Sequence, residues 1–523
     1  MWAGENGRHP GVHALLRPQH PAVVMAGSEH VLTYFAFESL SARIARVFRQ
    51  QGLRAGGRVV LALGNEPAFL PIAWAAQRAG LRYTPLPPHS SAEEAAYVIG
   101  DSEAEVVVVG DTADATLDGL SASSIPSVRE WFTAGEGRRT LASWPDLLAE
   151  AESMSDGPVE DESEGDAMLY SSGTTGRPKG VKRPLSLAPL GHGPDGAAVF
   201  LDPIGVDCDS VLLLTGPLYH GAGLSWALSA LRRGATVVVL ERFDTLEALA
   251  ALGRHEVTHS QWVPTMFVRM LQDTAGGRER WRFPAHRAAV HGAGPCPIHV
   301  KREMLAWWGP ILWEYYSCTE GIGATLIDSS EWQQRPGSVG RPVLGRIVIR
   351  GDAGEELPAD SVGNVWFSGG FGYAYAGDRK KTEAARNRFG EATVGDIGYV
   401  DVDGYLYLTG RKAHTVVSGG VNIYPREIEE CIAGHPDVAD VAVLGVPDED
   451  LGERLVAVVE TRAGAHDVAS TVLAHCRALL IRHKVPRQVV VVDRLPREAT
   501  GKLRASKLAS LVSPSGEGAG TSS

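Results

Sequence analysis

The sequence repeatedly places a short apolar run before a segment whose apolar residues follow helical spacing. Residues 58–63, 106–109 and 211–214 are such runs, and they show little alternation of apolar and polar side chains. A strand of this kind is buried on both faces, as happens when helices cover both sides of a parallel sheet. The pattern therefore predicts the α/β class, with parallel-rich sheets covered by helices.

The length of the chain predicts more than one domain, because 523 residues exceed what one hydrophobic core usually supports. We expect a large N-terminal domain over residues 1–410. It includes a small β-rich unit at 337–402, where turns separate short extended runs. Residues 411–512 predict a smaller α+β domain, and the Ser- and Gly-rich residues 513–523 predict a disordered tail. Residues 111–140 carry no clear pattern.

Composition argues against several classes of function. The 50 Lys and Arg residues against 62 Asp and Glu give a formal net charge of −12, which disfavours binding along a nucleic-acid backbone. No apolar run reaches the ~18–20 residues of a membrane span, and residues 1–25 lack the apolar stretch of a signal peptide. The five cysteines are too scattered for a disulfide framework or a zinc site. We therefore expect a cytoplasmic location without integral membrane association.

Residues 170–181, Tyr-Ser-Ser-Gly-Thr-Thr-Gly-Arg-Pro-Lys-Gly-Val, have the composition of a phosphate-binding loop. Glycines let backbone N–H groups approach an anion, hydroxyls add donors, and Arg177 and Lys179 add charge. The apolar run at 167–170 predicts a strand that leads into this loop. The segment lacks the Gly-Lys-Ser/Thr ending of a Walker A loop. A flexible Gly/Ser linker is the alternative interpretation.

Further motifs follow the Gly-rich loop along the chain. They are Pro217-Leu218-Tyr219-His220-Gly221-Ala222-Gly223, His291-Gly292-Ala293-Gly294-Pro295, Tyr316-Ser317-Cys318-Thr319-Glu320-Gly321, Gly337-Ser338-Val339-Gly340-Arg341-Pro342, Gly395-Asp396-Ile397-Gly398, Gly410-Arg411, Ser418-Gly419-Gly420-Val421-Asn422-Ile423-Tyr424-Pro425 and Thr500-Gly501-Lys502. With this set the chain resembles the adenylate-forming superfamily over nearly its whole length. Within that superfamily it is most similar to the acyl-CoA synthetases and fatty-acid–CoA ligases.

The resemblance implies an acid–thiol ligase that converts a carboxylic acid, ATP and CoA to acyl-CoA, AMP and pyrophosphate. The reaction would pass through an acyl-adenylate and would use Mg²⁺. Since a carboxylate must approach a triphosphate, such a site has to neutralise like charges.

The resemblance assigns the charge-neutralising roles to particular residues. Lys502 would bridge the carboxylate and the α-phosphate, Glu320 would ligate Mg²⁺, and Thr319 would contact phosphate. Taken alone, Lys502 could be an exposed tail lysine and Glu320 a residue at a helix start. The predicted phosphate contacts are Ser171, Ser172, Gly173, Thr174, Thr175, Gly176 and Lys179. Of these, Thr175 would also be a second metal ligand.

The resemblance places the base and ribose contacts further along the chain. Asp396 would hold the ribose hydroxyls, and Arg411 would reach the ribose or a phosphate. Tyr316 would flank the adenine face, although an aromatic residue beside an apolar run is more often part of a core. Glu314 would accept a hydrogen bond from the adenine amino group. The predicted contacts of this stretch are Glu314, Tyr315, Tyr316, Ser317 and Cys318.

The acyl group and the thiol also have expected contacts by resemblance. His220 would lie where the acyl pocket meets the thiol tunnel, as a gate more than a base, although a lone histidine is more often structural. Gly292, Ala293 and Gly294 would let the acyl group pass close to the backbone. The remaining expected residues are Val263, Thr265 and Met266 at the acyl pocket, and Ser418, Gly419 and Gly420 at the pantetheine tunnel.

Lys502 and the 418–420 loop would have to serve the same cleft in turn, so the smaller domain is expected to rotate near residues 411–414. Two positions depart from the family pattern. Cys318 stands where Gly, Ser or Ala is usual, and Ala413-His414 stands where the hinge usually has Asp or Lys.

Three alternatives to a complete ligase stay open. The first is a stand-alone adenylation enzyme that loads a carrier protein. The second is an enzyme limited to one half-reaction, such as thioesterification of a supplied acyl-adenylate. The third is a nucleotide-binding protein without catalysis. The sequence does not identify the acid, and it leaves homodimer formation open.

Overall fold

The fold is described from a computed structural model of the chain. It describes residues 8–113, 117, 120, 125–135, 144–171, 178–418, 421–448, 450–462, 465–497, 503 and 505–512. In this part of the chain, no helix has both the length and the apolar character needed to cross a membrane.

Helices and strands alternate along most of the chain. Over the described residues the α-helices are α1 (Pro10–Leu16), α2 (Tyr34–Gln50), α3 (Phe69–Arg78), α4 (Ala92–Asp101), α5 (Leu147–Glu152), α6 (Ala198–Leu201), α7 (Gly221–Arg233), α8 (Thr245–Arg254), α9 (Pro264–Asp273), α10 (Ile298–Trp308), α11 (Ser329–Gln334), α12 (Arg379–Ala384), α13 (Pro425–Ala433), α14 (Val468–Leu479) and α15 (Ala505–Val512).

The strands of the same residues are mostly short, apart from the long ones at Val438–Asp448 and Gly452–Thr461. They are β1 (Pro21–Met25), β2 (Val31–Thr33), β3 (Arg58–Ala62), β4 (Arg82–Pro85), β5 (Val106–Gly110), β6 (Glu130–Ala134), β7 (Asp166–Ala167), β8 (Leu169–Ser171), β9 (Lys179–Lys182), β10 (Val211–Leu214), β11 (Thr236–Val239), β12 (His259–Trp262), β13 (Ala288–His291), β14 (Leu312–Ser317), β15 (Ala324–Ile327), β16 (Ser338–Leu344), β17 (Arg346–Arg350), β18 (Gly363–Ser368), β19 (Ala374–Tyr375), β20 (Asp396–Val400), β21 (Leu406–Arg411), β22 (Val416–Ser418), β23 (Val421–Ile423), β24 (Val438–Asp448), β25 (Gly452–Thr461) and β26 (Gln488–Val492).

Two sheets contain the parallel strands that the sequence predicts. The first has the order β6-β5-β3-β4-β7, and all of its pairs are parallel. The second contains the parallel order β1-β11-β10-β12-β13-β14. Every residue of β5 is buried, as are those of β11, β12 and β13. Burial on both faces explains why these strands lack alternation, and it confirms the α/β class.

The β-rich unit at 337–402 is present, and it is continuous with the large sheet. Beyond β14 the sheet continues with antiparallel pairs through β15, β16, β21, β20, β18 and β17. One strand within residues 111–140, β6, was not recognised from its sequence. It joins the first sheet beside β5.

Residues 8–55, where the sequence predicted no helix or strand, form α1, β1, β2 and α2. Helix α2 begins at a capped turn, where the Thr33 side chain accepts a hydrogen bond from the backbone N–H of Ala36. The Tyr34 hydroxyl is buried and donates to the carbonyl oxygens of Leu231 and Ala235, at the end of α7. These contacts, with the parallel pairing of β1 and β11, attach the segment to the large sheet.

The smaller C-terminal α+β domain has its own sheet. Its strand order is β23-β22-β25-β24, and β26 pairs in parallel with β25. Helices α13 and α14 bury Ile428, Ile432 and Val472 in its core. The chain leaves the large sheet at Arg411 and enters this one at Val416, through a 3₁₀ turn at Lys412–His414. The domain boundary at 410/411 stays a prediction. All five cysteines are free thiols, as expected.

Candidate active site

Three of the motif loops lie at the same edge of the large sheet. They follow β10, β13 and β14, whose carboxyl ends meet at one edge because these strands run parallel around β12. Ligands in open parallel sheets bind beyond the carboxyl ends of the strands. This edge is therefore the candidate active site.

The Gly-rich segment connects the two strands of a hairpin. Strands β8 and β9 are antiparallel, and β9 pairs on its other side with β19, where Tyr375 lies opposite Val181. The predicted strand before the loop is thus present. Residues 172–177, with the expected contacts Ser172, Gly173, Thr174, Thr175 and Gly176, lie outside the described residues, and Ser171 is described only as the last residue of β8.

Glu320 is a buried carboxylate, with 7% of the residue exposed. It follows β14 in a turn closed by a hydrogen bond from the Gly321 N–H to the Cys318 carbonyl oxygen. The Tyr375 hydroxyl donates to Glu320 Oε1 at 2.8 Å. Burial, followed by the charge of Glu320, raises the pKa of Tyr375, so this phenol stays protonated and keeps donating. Tyr375 was missed by sequence reasoning.

Two lysines meet beside Glu320. The Lys381 ammonium lies 4.1 Å from the centroid of the Tyr375 ring, near enough to Lys179 for the two positive charges to interact. Burial, followed by the charge of Lys179, lowers the pKa of Lys381 to about 8. Lys179 was predicted as a phosphate contact. Lys381 was not predicted, although the basic run Arg379-Lys380-Lys381 offered a signal.

Asp396 begins β20 and lies opposite Arg411 in the register of β20 and β21. Its carboxylate accepts from the Tyr316 hydroxyl at 2.5 Å and from Arg411 Nε at 2.8 Å. The Asp396 side chain is 6% exposed, whereas that of Arg411 is 49% exposed. Three of the predicted nucleotide residues therefore form one polar cluster, and burial followed by the charge of Asp396 raises the pKa of Tyr316.

Cys318 lies between these two groups, on the loop after β14. Burial, followed by the charge of Glu320, raises the pKa of its thiol to about 12. The neutral thiol packs at the edge of a core cluster that includes Phe367 and Ile322. Cys318 therefore acts as a small, uncharged filler rather than a nucleophile.

The structure does not support the expected contact between Glu314 and the adenine amino group. The Glu314 side chain is 6% exposed, and it accepts from the fully buried Lys301 ammonium at 2.7 Å. Lys301 also lies 4.6 Å from the centroid of the Trp332 ring. A carboxylate in such an internal ion pair supports the packing of α10 on β14, which is a structural role.

Replacing Lys301 by methionine is expected to lower the free energy of unfolding by about 3–5 kcal/mol, because it leaves the Glu314 charge buried without its partner. Urea titration followed by tryptophan fluorescence measures this loss. The double variant Lys301→Met with Glu314→Leu should recover most of the stability. A single variant as stable as the wild type would contradict the structural role of the pair.

Tyr315 also differs from its expected role. It points away from Tyr316 across the strand, is 8% exposed, and has its ring centroid 4.9 Å from that of Phe200 and 5.7 Å from that of Trp226. A Cβ atom on Gly292 would come within 2.5 Å of the Tyr315 ring. Gly292 is thus needed for packing against Tyr315.

The two residues after Gly292 are exposed at the mouth of the cleft. Ala293 has a φ of 66°, a left-handed conformation that is strained for a residue with a Cβ atom. A Cβ atom on Gly294 would meet no atom within 4 Å. Gly294 therefore has no packing reason to be glycine, which leaves its expected closeness to a ligand as an explanation.

Replacing Gly294 by alanine is expected to raise the KM for the acid about tenfold, because the added methyl group would intrude on a passing ligand. The free energy of unfolding should stay the same or rise by up to about 1 kcal/mol. Steady-state kinetics and urea titration measure both quantities. Gly276→Ala is the matched control, since Gly276 is also exposed with no atom near its Cβ position. An unchanged KM would contradict the expected closeness.

The structure shows fewer contacts for the remaining predicted site residues. His220 is the residue before the first turn of α7, partly exposed, with its ring centroid 4.8 Å from that of Tyr219. Met266 is buried, and its sulfur accepts from the Thr215 hydroxyl at 3.2 Å. Val263 and Thr265 are partly exposed at the start of α9, as are Ser317 and Thr319 in the candidate site and Ser418 at the end of β22. Gly419, Gly420 and Lys502 lie outside the described residues.

The fold and the motif loops define the class as an adenylate-forming enzyme, with a large α/β domain and a smaller C-terminal domain. A family model described as AMP-binding enzyme matches residues 12–373, and one described as AMP-binding enzyme C-terminal domain matches residues 427–502. The chain belongs to the AMP-binding enzyme family, in the acyl-CoA synthetase branch of the adenylate-forming superfamily.

Several curated relatives resemble the chain over its length. It is 31% identical over 505 residues to a feruloyl-CoA synthase of Amycolatopsis sp, covering 95% of this chain and 97% of that protein. It is 29% identical to the long-chain-fatty-acid–CoA ligase FadD13 of Mycobacterium tuberculosis, covering 94% and 95%. Among solved structures, ATP-bound MatB from Rhodopseudomonas palustris matches with a TM-score of 0.82 at 28% identity, covering 96% and 98%.

Proposed function

We propose that this protein is an AMP-forming acyl-CoA synthetase, which joins a carboxylic acid to CoA through an acyl-adenylate. The observation that carries the proposal is the juxtaposition of a buried carboxylate, Glu320, with two lysines at the carboxyl edge of a parallel sheet. The second polar cluster, around Asp396, supports it. ATP, CoA and a carboxylic acid are the substrates.

The Asp396 cluster is suited to a ribose. A carboxylate has room for about four hydrogen bonds, and Asp396 uses its two oxygens for Tyr316 and Arg411. Ribose hydroxyls would donate to the remaining lone pairs. Arg411, with half of its side chain exposed, could turn toward a phosphate without uncovering a buried charge.

The residues around Glu320 fit Mg²⁺. This ion favours octahedral oxygen ligands and is usually held by one or two carboxylates together with phosphates and water. Glu320 supplies one carboxylate, and no group of three or more acidic, histidine or cysteine side chains suited to a metal is found among the described residues. Bound Mg²⁺ would neutralise phosphate charge, with Glu320 as the protein ligand and Thr175 as a proposed second one.

In the first step, a carboxylate oxygen of the acid attacks the α-phosphorus of ATP, and the bond to the β-phosphate oxygen breaks. Lys502 would hold the carboxylate and the α-phosphate together, while Lys179 would hold the phosphates that leave as pyrophosphate. In the second step, the CoA thiol loses its proton, its sulfur attacks the acyl carbon, and AMP leaves.

The two steps use different loops of the C-terminal domain. Lys502 would serve adenylation, and the loop at 418–420 would line the path of the thiol. The turn at Lys412–His414 is the connection between the two sheets, so rotation would take place there. His220 would separate the acyl pocket from the thiol path. Homodimer formation and a cytoplasmic location stay predictions.

The function is tested by incubating the purified protein with ATP, magnesium chloride, CoA and a panel of fatty, aryl and small acids. Release of AMP together with a CoA ester of at least one acid supports the proposal. A phosphopantetheinylated carrier protein, offered in place of CoA, tests the alternative acceptor. If a supplied acyl-adenylate yields CoA ester but free acid with ATP does not, the enzyme is limited to the second half-reaction. If no acyl product forms, the proposal is wrong.

A further inference from the structure

Lys179 and Lys381 are 202 positions apart in the sequence, but the pairing of β9 with β19 and the position of Lys381 on the Tyr375 ring bring their positive charges close together. Lys179 opens β9, at the end of the Gly-rich loop, and Lys381 lies in α12. Two neighbouring like charges repel each other, and partial burial strengthens the repulsion. An anion bound between the two lysines would offset this repulsion.

The position of Lys381 is fixed by several contacts. The backbone N–H of Tyr375 donates to Thr382 Oγ1 at 2.9 Å, and Thr382 Oγ1 donates to the Asp378 carbonyl oxygen at 2.9 Å. The Lys381 backbone N–H donates to Asp378 Oδ1, also at 2.9 Å. Since β19 pairs with β9, these bonds hold α12 against the strand that carries Lys179.

Among the described residues, no carboxylate forms an ion pair with Lys179 or Lys381. Glu320 raises the pKa of Lys381 only as a lesser effect, and Glu320 Oε1 accepts from the Tyr375 hydroxyl. Asp378 also raises the pKa of Lys381 only as a lesser effect, and its Oδ1 accepts a hydrogen bond from the backbone N–H of Lys381. The Tyr375 ring, 4.1 Å from the ammonium, adds a cation–π contact but no charge.

We propose that Lys179 and Lys381 together bind the β- and γ-phosphates of ATP and, after adenylation, the pyrophosphate that leaves. This inference rests on the proposed function, and it adds Lys381 as a phosphate-binding residue that defines the pyrophosphate end of the cleft. The pair lies on the Gly-rich loop side, beside the carboxylate that would ligate Mg²⁺. The Asp396 cluster, where the nucleoside would lie, is formed by other residues.

The same two charges could attract other phosphates, such as the α-phosphate of AMP or the phosphates of CoA. These ligands differ in a testable way. Inorganic pyrophosphate carries only the β,γ part, AMP carries only the α-phosphate, and CoA carries phosphates that never enter the adenylation step.

The test is isothermal titration calorimetry of inorganic pyrophosphate, ATP, AMP and CoA, each with magnesium chloride, against the wild type and three variants. Lys381→Gln removes the charge, and Lys381→Arg keeps it. Lys380→Gln is the matched control, because Lys380 is on the same helix but exposed. Thermal unfolding of each variant identifies any that fails to fold.

We expect Lys381→Gln to weaken the binding of pyrophosphate and ATP about ten- to a hundredfold, as for loss of a charge-assisted hydrogen bond, and that of AMP and CoA by less than about twofold. Lys381→Arg and Lys380→Gln should bind all four much as the wild type does. Equal losses for AMP or CoA, no loss for pyrophosphate, or a wild type that does not bind pyrophosphate would overturn the inference. A wild type that binds pyrophosphate but neither ATP nor AMP would instead contradict the proposed function.

Discussion

Replacing Lys502 by alanine is expected to slow acyl-adenylate formation about a hundred- to thousandfold. This is the usual loss of rate when an enzyme loses one preorganised group that stabilises negative charge in the transition state. The lysine would bring two like-charged reactants together, so its effect belongs to the first step. Thioester formation from a supplied acyl-adenylate should change by less than about threefold, because that step needs no triphosphate.

Carboxylate-dependent exchange of label between pyrophosphate and ATP measures the first step, and CoA consumption from synthetic acyl-adenylate measures the second. Lys507→Ala is the matched control, since Lys507 is an exposed lysine of α15 a few residues further on. Comparable losses in both steps would count against the role of Lys502 and would indicate damage to the C-terminal domain as a whole.

Replacing Glu320 by glutamine is expected to slow adenylation about a hundredfold and to raise the Mg²⁺ concentration needed for half-maximal rate about tenfold. The amide oxygen can still accept from the Tyr375 hydroxyl, so the loop should keep its shape. The change thus removes a negative charge and little else, and the loss would report on the metal.

The rate of ATP–pyrophosphate exchange, measured against magnesium chloride concentration, checks this expectation. Tyr375→Phe keeps the carboxylate and removes only the hydrogen bond that orients it, so it should cost no more than about tenfold. If Glu320→Gln needs no more Mg²⁺ than the wild type does, Glu320 is not a metal ligand. Thermal unfolding of both variants identifies any loss that comes from misfolding.

The sequence predicted the parts of the fold that follow from local patterns. Unalternating runs predicted β5 and β10 because strands buried on both faces need apolar residues at every position. It did not predict β1, whose place in the sheet depends on pairing with β11 more than 200 positions later. Nor did it predict that β15 and β16 connect the β-rich unit to the parallel strands, because that depends on pairing between distant segments.

The candidate site divides in the same way. Glycines, hydroxyls and charges in one short loop identify a phosphate site from local chemistry, and Asp396 and Arg411 could be named from their motifs. The motifs did not name Tyr375, and the basic run at 379–381 did not show which lysine faces the site, because both residues approach Glu320 and Lys179 only through the pairing of β19 with β9. The ion pair of Glu314 could not be predicted either, because nothing in its motif indicates Lys301, its partner from α10.

The two departures from the family pattern also have different outcomes. Cys318 is accommodated as a neutral, partly buried thiol, so it adds no charge to the nucleotide side of the cleft. Ala413-His414 lies in the exposed turn between the sheets. The His414 residue is exposed overall, but partial desolvation of its imidazole, followed by the charge of Arg411, lowers the pKa of His414, so the turn gains little positive charge near neutral pH. An effect of Ala413-His414 on domain rotation would appear in the rate of thioester formation, the second step.

The acyl-adenylate is the central claim, and an isotope experiment tests it most directly. An acid accepted by the enzyme is labelled with ¹⁸O in both carboxylate oxygens and converted with ATP, magnesium chloride and CoA in unlabelled water. Because a carboxylate oxygen attacks the α-phosphorus and later leaves with AMP, mass spectrometry should find one ¹⁸O in each AMP formed. Acyl-CoA formed with unlabelled AMP, or with ADP and phosphate as products, would contradict the account.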